Sequence, residues 1–429
     1  MILSSLILQI IKLVFGIYVS NKTSTETLGV FQLIMTTYLF GITLAASGIN
    51  ISCIRVVSEE LAFGNNYGVR KASKKCIKIS LLLSVVASFI FYINSNTIVK
   101  FCFQEKVSKN IVYLICTALP LISVSSAITG YFVAVRRIYK TIIGNFLEQI
   151  SKIISTIIFL NIAVTDSSIE SMCFALILGD VLSEIVSFVY LTIVYRFDLK
   201  YHYSTFKISS PENYILKICR ILIPVAITAH IKSGLSTIKQ LIIPSSLQKN
   251  GKKVEEALSE YGIISGMAMP IVMFPAAFLV AVSGLLIPEF SRYSIKKDYK
   301  KIRLYTDKLL IGSFVFSLIL TIFFCIFGDN LGIAIYHNEK VGIYIKLLSL
   351  LIPFMYADII IDNILKGLDA QASVMVINII DLIVSTIFIL LFVPIFGVKA
   401  YIISIFISEI LNLSLSLNKL LKLEKNLEV

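Results

Sequence analysis

The sequence predicts an all-α integral membrane protein with about twelve transmembrane helices in two six-helix lobes. Three observations predict it. Of 429 residues, 57% are hydrophobic and only 15% charged, with a mean hydropathy of +0.88, a composition suited to a bilayer rather than to water. The apolar residues fall into long unbroken runs instead of the weak alternation of a membrane barrel, and in lipid only helices and closed barrels satisfy the backbone. Finally, short stretches recur between the two halves of the chain.

Twelve spans are expected at 2–19, 29–54, 77–94, 110–134, 141–163, 171–195, 220–245, 259–288, 304–327, 343–365, 372–394 and 398–417, each near or above the roughly 20 residues that cross ~30 Å of hydrocarbon. Span 1 has no basic leader before it and no small-residue cleavage site after it, which predicts a retained anchor. It is several residues shorter than span 7, its counterpart in the second half. Loops alternate in charge: with the N-terminus inside, the inner loops and the C-terminal tail hold 25 Lys and Arg against 9 outside. That asymmetry predicts both termini cytoplasmic, in the cell membrane, although the outer group 249–253 runs against it. The longest loop is about 24 residues, which leaves no room for a soluble catalytic domain.

Several function classes are set aside. The net charge of +13 is dispersed among short loops and forms no patch for nucleic acid. Seven cysteines, an odd number, include no C-x-x-C pair and no histidine at ligand spacing, so they are expected to pack in the core, with no metal and no cofactor. No phosphate-binding loop of the G-x-x-x-x-G-K-[ST] type occurs. An enzyme is not expected.

The recurrences place "LAASGINI" at 44–51 beside "VAVSGLLI" at 280–287, and Arg136 with "ISTI" at 154–157 beside Lys366 with "VSTI" at 384–387, 230 positions later. Because six spans is an even number, the halves share one orientation, a parallel repeat about an axis along the membrane normal. The lobes are expected at 1–218 and 219–429.

Ionisable residues inside spans cost about 2.5–3.5 kcal/mol each at a helix centre, so they should face the bundle interior or water. They are Lys12, Glu148, Lys152, Asp180, Glu184, Lys232, Lys239, Asp358, Asp362, Asp381 and Glu409. Glu148 and Lys152, four apart, are placed to pair on one helix face. Asp180 with Glu184, and Asp358 with Asp362, set two like charges on one face, with Lys366 a turn beyond the second pair. Such a pair sits in water or shares a proton, which a Na+ or H+ site requires; with Asp381 these are the ion-coupling candidates. Arg55 and Lys232 are the stronger candidates for an anionic substrate, whereas Lys12 and Lys239 are able to snorkel.

Span 8 contains "MAMPIVMFPAAF" at 267–278. Pro270 and Pro275 are expected to free the carbonyls of residues 266 and 271, which membranes tolerate only where neighbours, water or a cavity supply a donor. A broken helix beside a cavity is a transporter device, and a static kink for packing is the alternative.

The runs "LIIPSSLQKNGKKVEEALSEYGIISGMAMPIVMFPAAFLVAVSGLLIPEFSR", "LGVFQLIMTTYLFGITLAASGINISCIRVVSEELAFGN" and "GYFVAVRRIYKTIIGNFLEQISKI" resemble the stage V sporulation protein B and polysaccharide flippase family. That family belongs to the superfamily that also holds the multidrug and toxin extrusion transporters. The resemblance covers nearly the whole chain. It implies two lobes around a central cavity that opens alternately to each side and carries an undecaprenyl-linked saccharide head group across the membrane. It also implies that spans 1, 2, 7 and 8 line the cavity, with Arg55, Lys232 and Lys239 near the pyrophosphate; the Glu148–Lys152 pair, by its spacing a structural ion pair, is a further substrate-binding candidate. The implied partners are the lipid-linked saccharide and membrane lipid. The rivals are a cation-coupled drug exporter of the same fold and a non-transporting scaffold for wall assembly.

Overall fold

Short polar side chains start several helices. Asn65, Ser168, Asp298 and Asn338 each accept a backbone N–H from the first turn that follows, supplying a partner to donors that have none inside a helix. The computed structural model describes residues 2–164, 168–203 and 213–428, so part of the expected inner loop 196–220 lies outside the described residues. The helices are α1 (Ile2–Lys22), α2 (Thr25–Ala46), α3 (Ile49–Ala62), α4 (Asn66–Ile93), α5 (Lys109–Ala134), α6 (Tyr139–Ala163), α7 (Ile169–His202) and α8 (Tyr214–Lys249). They continue as α9 (Val254–Gly262), α10 (Met269–Met273), α11 (Ala276–Ile295), α12 (Tyr299–Tyr336), α13 (Glu339–Ser349), α14 (Ile352–Gly367), α15 (Gln371–Phe396) and α16 (Val398–Glu428). Among the described residues there is no strand. Among the described residues eleven helices are long and apolar enough to cross a bilayer, or twelve if α13 and α14, bent by 54°, form one span. The chain is a multi-pass membrane protein.

Two compact units share the chain: Leu33–Thr237, and Met1–Gln32 with Ile238–Val429. Their boundaries fall inside α2 and α8. In the 33–237 unit, the core gathers Ile49, Val56, Ile128, Phe132 and Leu191 around Tyr131. Its hydroxyl donates to Asp198 at 2.6 Å, and Asp198 also receives Lys140 at 2.5 Å and Arg137. This fixes the turn between α5 and α6 against the end of α7. In the other unit α2 begins against α9: Thr25 and Ser259 hydroxyls lie 2.6 Å apart, and a Cβ on Gly262 would stand only 2.7 Å from the Gly29 nitrogen. Glycine at 262 is what allows this approach.

Turn geometry recurs at a fixed interval. Left-handed residues follow α3 at Gly64 and α5 at Arg136, and again follow α11 at Lys297 and α14 at Asp369, 233 positions later in both cases. All four turns close with the same pair of hydrogen bonds, for example Asn65 N–H to Glu60 O and Gly64 N–H to Leu61 O, matched by Asp298 to Tyr293 and Lys297 to Ser294. This is the double-bonded helix end that satisfies orphan carbonyls. The interval corrects the sequence alignment, which set Arg136 beside Lys366 rather than Asp369. It also separates "LAASGINI" from "VAVSGLLI": Gly48 is left-handed with φ 77° between α2 and α3, while Gly284 lies within continuous α11.

The prolines follow the same interval. Pro120 and Pro353 each lack the N–H that would meet the carbonyl four residues earlier. Those carbonyls belong to Cys116 and Ser349. Ser88 of α4 donates to the first at 2.9 Å and Thr321 of α12 to the second at 3.1 Å, and both proline and donor are displaced by 233 positions. Helix α5 runs on through Pro120, whereas at Pro353 the helix divides into α13 and α14.

Span 8 is broken as its prolines require. After α9, residues Ile263–Ala268 form a π-helical turn, α10 ends at Met273, and tighter bonds from Ala277 N–H to Phe274 O and Phe278 N–H to Pro275 O lead into α11. Tyrosines supply donors at both prolines, one residue beyond the expected carbonyls: Tyr336 to Met267 O at 3.3 Å and Tyr356 to Val272 O at 3.2 Å. Both acceptors stand three residues before their proline, where the helix leaves regular α geometry, so the positions expected from a regular α-helix do not hold.

Candidate functional site

In each unit, ionisable residues expected within spans gather from different helices. In the 33–237 unit, α6 and α7 pack along their length and bring Glu148, Lys152, Asp180 and Glu184 together. Lys152 reaches across to Asp180 at 2.5 Å, and Asp180 is buried. Lys152, one turn from Glu148 on its own helix, thus also pairs between helices. Asp180 is therefore an ion-pair partner, with Glu184 one turn further along the same helix. Buried Tyr38 of α2 lies in the electrostatic range of Glu184, Asp180 and Glu148. Its hydroxyl has no hydrogen-bond partner among the described residues.

In the other unit the cluster joins the end of α8 to α14, α15 and α16. Lys239 donates to Ser408 at 3.2 Å, and Ser408 donates to the buried carboxylate of Asp381 at 2.6 Å. Lys239 is thus held inside a polar network, and the snorkelling expected of it does not occur. Glu409 stands in the electrostatic range of both Lys239 and Asp381, and of Asp358 in turn. Asp362 pairs with Lys366 at 3.8 Å, the offset expected from their spacing. Asp358 is buried, with one carboxylate oxygen lacking a hydrogen-bond partner among the described residues. The structure therefore collects Lys239, Asp358, Asp362 and Asp381 in one place. A chain of carboxylates bridged by a hydroxyl and closed by an ammonium has the chemistry to take up and release a small cation or a proton.

The two remaining candidates lie outside these clusters. Arg55 is exposed on α3 and pairs with Glu59 at 3.4 Å, and Glu59 is shared with Lys217 at 2.8 Å. Lys232 is exposed on α8, two residues from His230, whose Nδ1 lies 3.4 Å from the Ser47 hydroxyl. Sequence reasoning left Ser408, Glu409 and Tyr38 out of the candidate set. A Glu inside the apolar run of span 12 was a visible signal for the second; for a serine and a tyrosine in apolar runs there was none.

The geometry frames the comparisons with known proteins. The family model for polysaccharide biosynthesis proteins matches residues 1–294. The chain belongs to that family. A second model, MatE, matches residues 250–391 of this polysaccharide biosynthesis family member. Stage V sporulation protein B of Bacillus subtilis (strain 168) is 19% identical over 408 residues, covering 93% of this chain and 78% of that protein. A solved inward-facing multidrug resistance MATE family transporter of the MOP superfamily aligns over 98% of this chain and 95% of its own, with a TM-score of 0.73 and 14% identity. A MOP superfamily transporter from Pyrococcus furiosus, described as having a binding pocket of reverse polarity, aligns over 100% and 95% with a TM-score of 0.68 and 13% identity. At these identities the likeness is one of fold, and the fold is that of MOP superfamily transporters.

Proposed function

We propose that the protein is a flippase for a lipid-linked saccharide, an undecaprenyl-pyrophosphate carrier of a peptidoglycan or polysaccharide precursor, working by alternating access. The observation that carries this reading is the match to polysaccharide biosynthesis proteins over residues 1–294 on a transporter fold. The similarity to Stage V sporulation protein B favours a role in the spore cortex or cell wall. In this reading the halves 1–218 and 219–429 form the two lobes, with the 233-residue recurrence as support, and both termini face the cytoplasm. Arg55 and Lys232 attract the pyrophosphate while the lipid tail stays in the bilayer. The carboxylate clusters bias the cycle through Na+ or H+, or through the membrane potential at about 2.3 kcal/mol per charge per 100 mV.

The test is translocation of a fluorescent undecaprenyl-pyrophosphoryl disaccharide in proteoliposomes, with an imposed ion gradient and potential. Wild type should move it, and Arg55→Ala and Lys232→Ala should each slow it at least tenfold with insertion unchanged. A second reading, a cation-coupled drug exporter, is favoured by the MatE match over 250–391. Transport of organic cations with no movement of the saccharide would decide for it.

A further inference from the structure

The 33–237 unit carries a groove of about 670 Å³ at the end where α4 begins and α7 closes. Its walls are apolar, built by Val124 and Ile128 of α5 and Phe188 of α7. Its rim is cationic: Arg70, Lys74 and Lys78 stand at successive four-residue intervals on one face of α4, and Arg196 and Lys200 do the same on α7. Among the described residues none of the five is paired with a carboxylate. Asp198, the acid between Arg196 and Lys200 in sequence, is already held by Arg137, Lys140 and Tyr131. One further polar group waits in the wall, for the buried hydroxyl of Thr192 has no hydrogen-bond partner.

We propose that this groove is a binding site for an anionic phospholipid of the surrounding bilayer. Phosphate oxygens meet the five cations, Thr192 donates to the head group, and the acyl chains lie on the apolar wall. Charge complementarity selects this occupant, since a column of cations over hydrocarbon suits an anion that carries its own hydrocarbon, and basic pockets between transmembrane helices are where acidic head groups dock. The second half of the chain provides an internal comparison. At the same 233-residue interval, the α4 column is replaced on α12 by Arg303, Asp307 and Ile311. The five-cation rim is therefore a property of this groove, distinct from the general excess of basic residues in the loops.

The experiment uses the full chain, purified and delipidated in detergent, with thermal unfolding followed by the exposure of its buried thiols, among them Cys53, Cys76 and Cys173. Dioleoyl phosphatidylglycerol should raise the unfolding midpoint by several degrees, whereas dioleoyl phosphatidylcholine and free glycerol 3-phosphate should leave it in place. Arg70→Gln/Lys74→Gln/Arg196→Gln should need at least tenfold more phosphatidylglycerol for half the effect. The control Lys296→Gln/Lys300→Gln/Arg303→Gln should respond like wild type. An equal shift with phosphatidylcholine, an undiminished response in the groove variant, or an equal loss in the control overturns the proposal. A full shift with glycerol 3-phosphate reassigns the groove to a soluble phosphate ester and overturns it too. If the triple variant does not fold, the single charge reversal Lys74→Glu at an exposed position should raise the half-saturating concentration at least threefold, and no change overturns the lipid site.

Discussion

Lys152 lies one turn after Glu148 on α6, yet its ammonium reaches Asp180 on α7 at 2.5 Å. Helical spacing reveals which residues share a face; it carries no information about what the neighbouring helix presents there. Asp180 is buried, and removing its partner leaves a charge without compensation, which typically costs about 3–5 kcal/mol. Lys152→Met should therefore lower the thermal midpoint sharply. Lys152→Met/Asp180→Asn should recover most of the loss, because the buried Asp180 no longer carries a charge that lacks its partner. A double variant as unstable as the single one would show that Lys152 acts through packing of its stem instead. The same limit hid the Lys239–Ser408–Asp381 chain, whose central member is a serine in an apolar run and has no signature in composition or period.

At the scale of elements, proline positions were legible and their consequences were not. Pro120 and Pro353 occupy equivalent places, each with its freed carbonyl capped by a hydroxyl from the preceding long helix. Such a donor cannot be read from one helix alone. The relation makes an exacting test. Ser88→Ala removes the partner of the Cys116 carbonyl inside the membrane, where an unsatisfied group costs about 1–3 kcal/mol. Pro120→Ala restores an N–H four residues on, so Ser88→Ala should be nearly harmless in that background. Thr321→Ala against Pro353→Ala should behave the same way in the other unit, as read by unfolding midpoints of the four variants and two doubles. Equal losses with and without the proline would mean that the hydroxyls do not serve the freed carbonyls. The number of spans was legible because burial in lipid demands long apolar runs, whereas the ends of span 8, expected at 259–288, were not: the long apolar helix there is Ala276–Ile295. The offset between halves was misjudged by three residues, since short Ile-rich matches fix a register less firmly than turn geometry does.

For the whole molecule, orientation rests on the asymmetry of 25 inner against 9 outer basic residues, and membrane insertion responds to such charge in short loops. The chain contains two loops well suited to a test. Asn250 and Gly251 lie in the turn between α8 and α9, and Lys297 lies between α11 and α12, separated by the single broken span that carries Pro270 and Pro275. If that broken stretch crosses the bilayer once, the two turns open to opposite sides; if it were a re-entrant loop, they would share a side. With the seven native cysteines replaced, Gly251→Cys in intact cells should react with a membrane-impermeant maleimide, and Lys297→Cys should react only after permeabilisation. The outer placement of 249–253 is the demanding half of this prediction, because those residues include three lysines that oppose the charge rule. Labelling of both sites from outside would make span 8 re-entrant. Labelling of Lys297→Cys alone would invert the whole chain and place both termini outside.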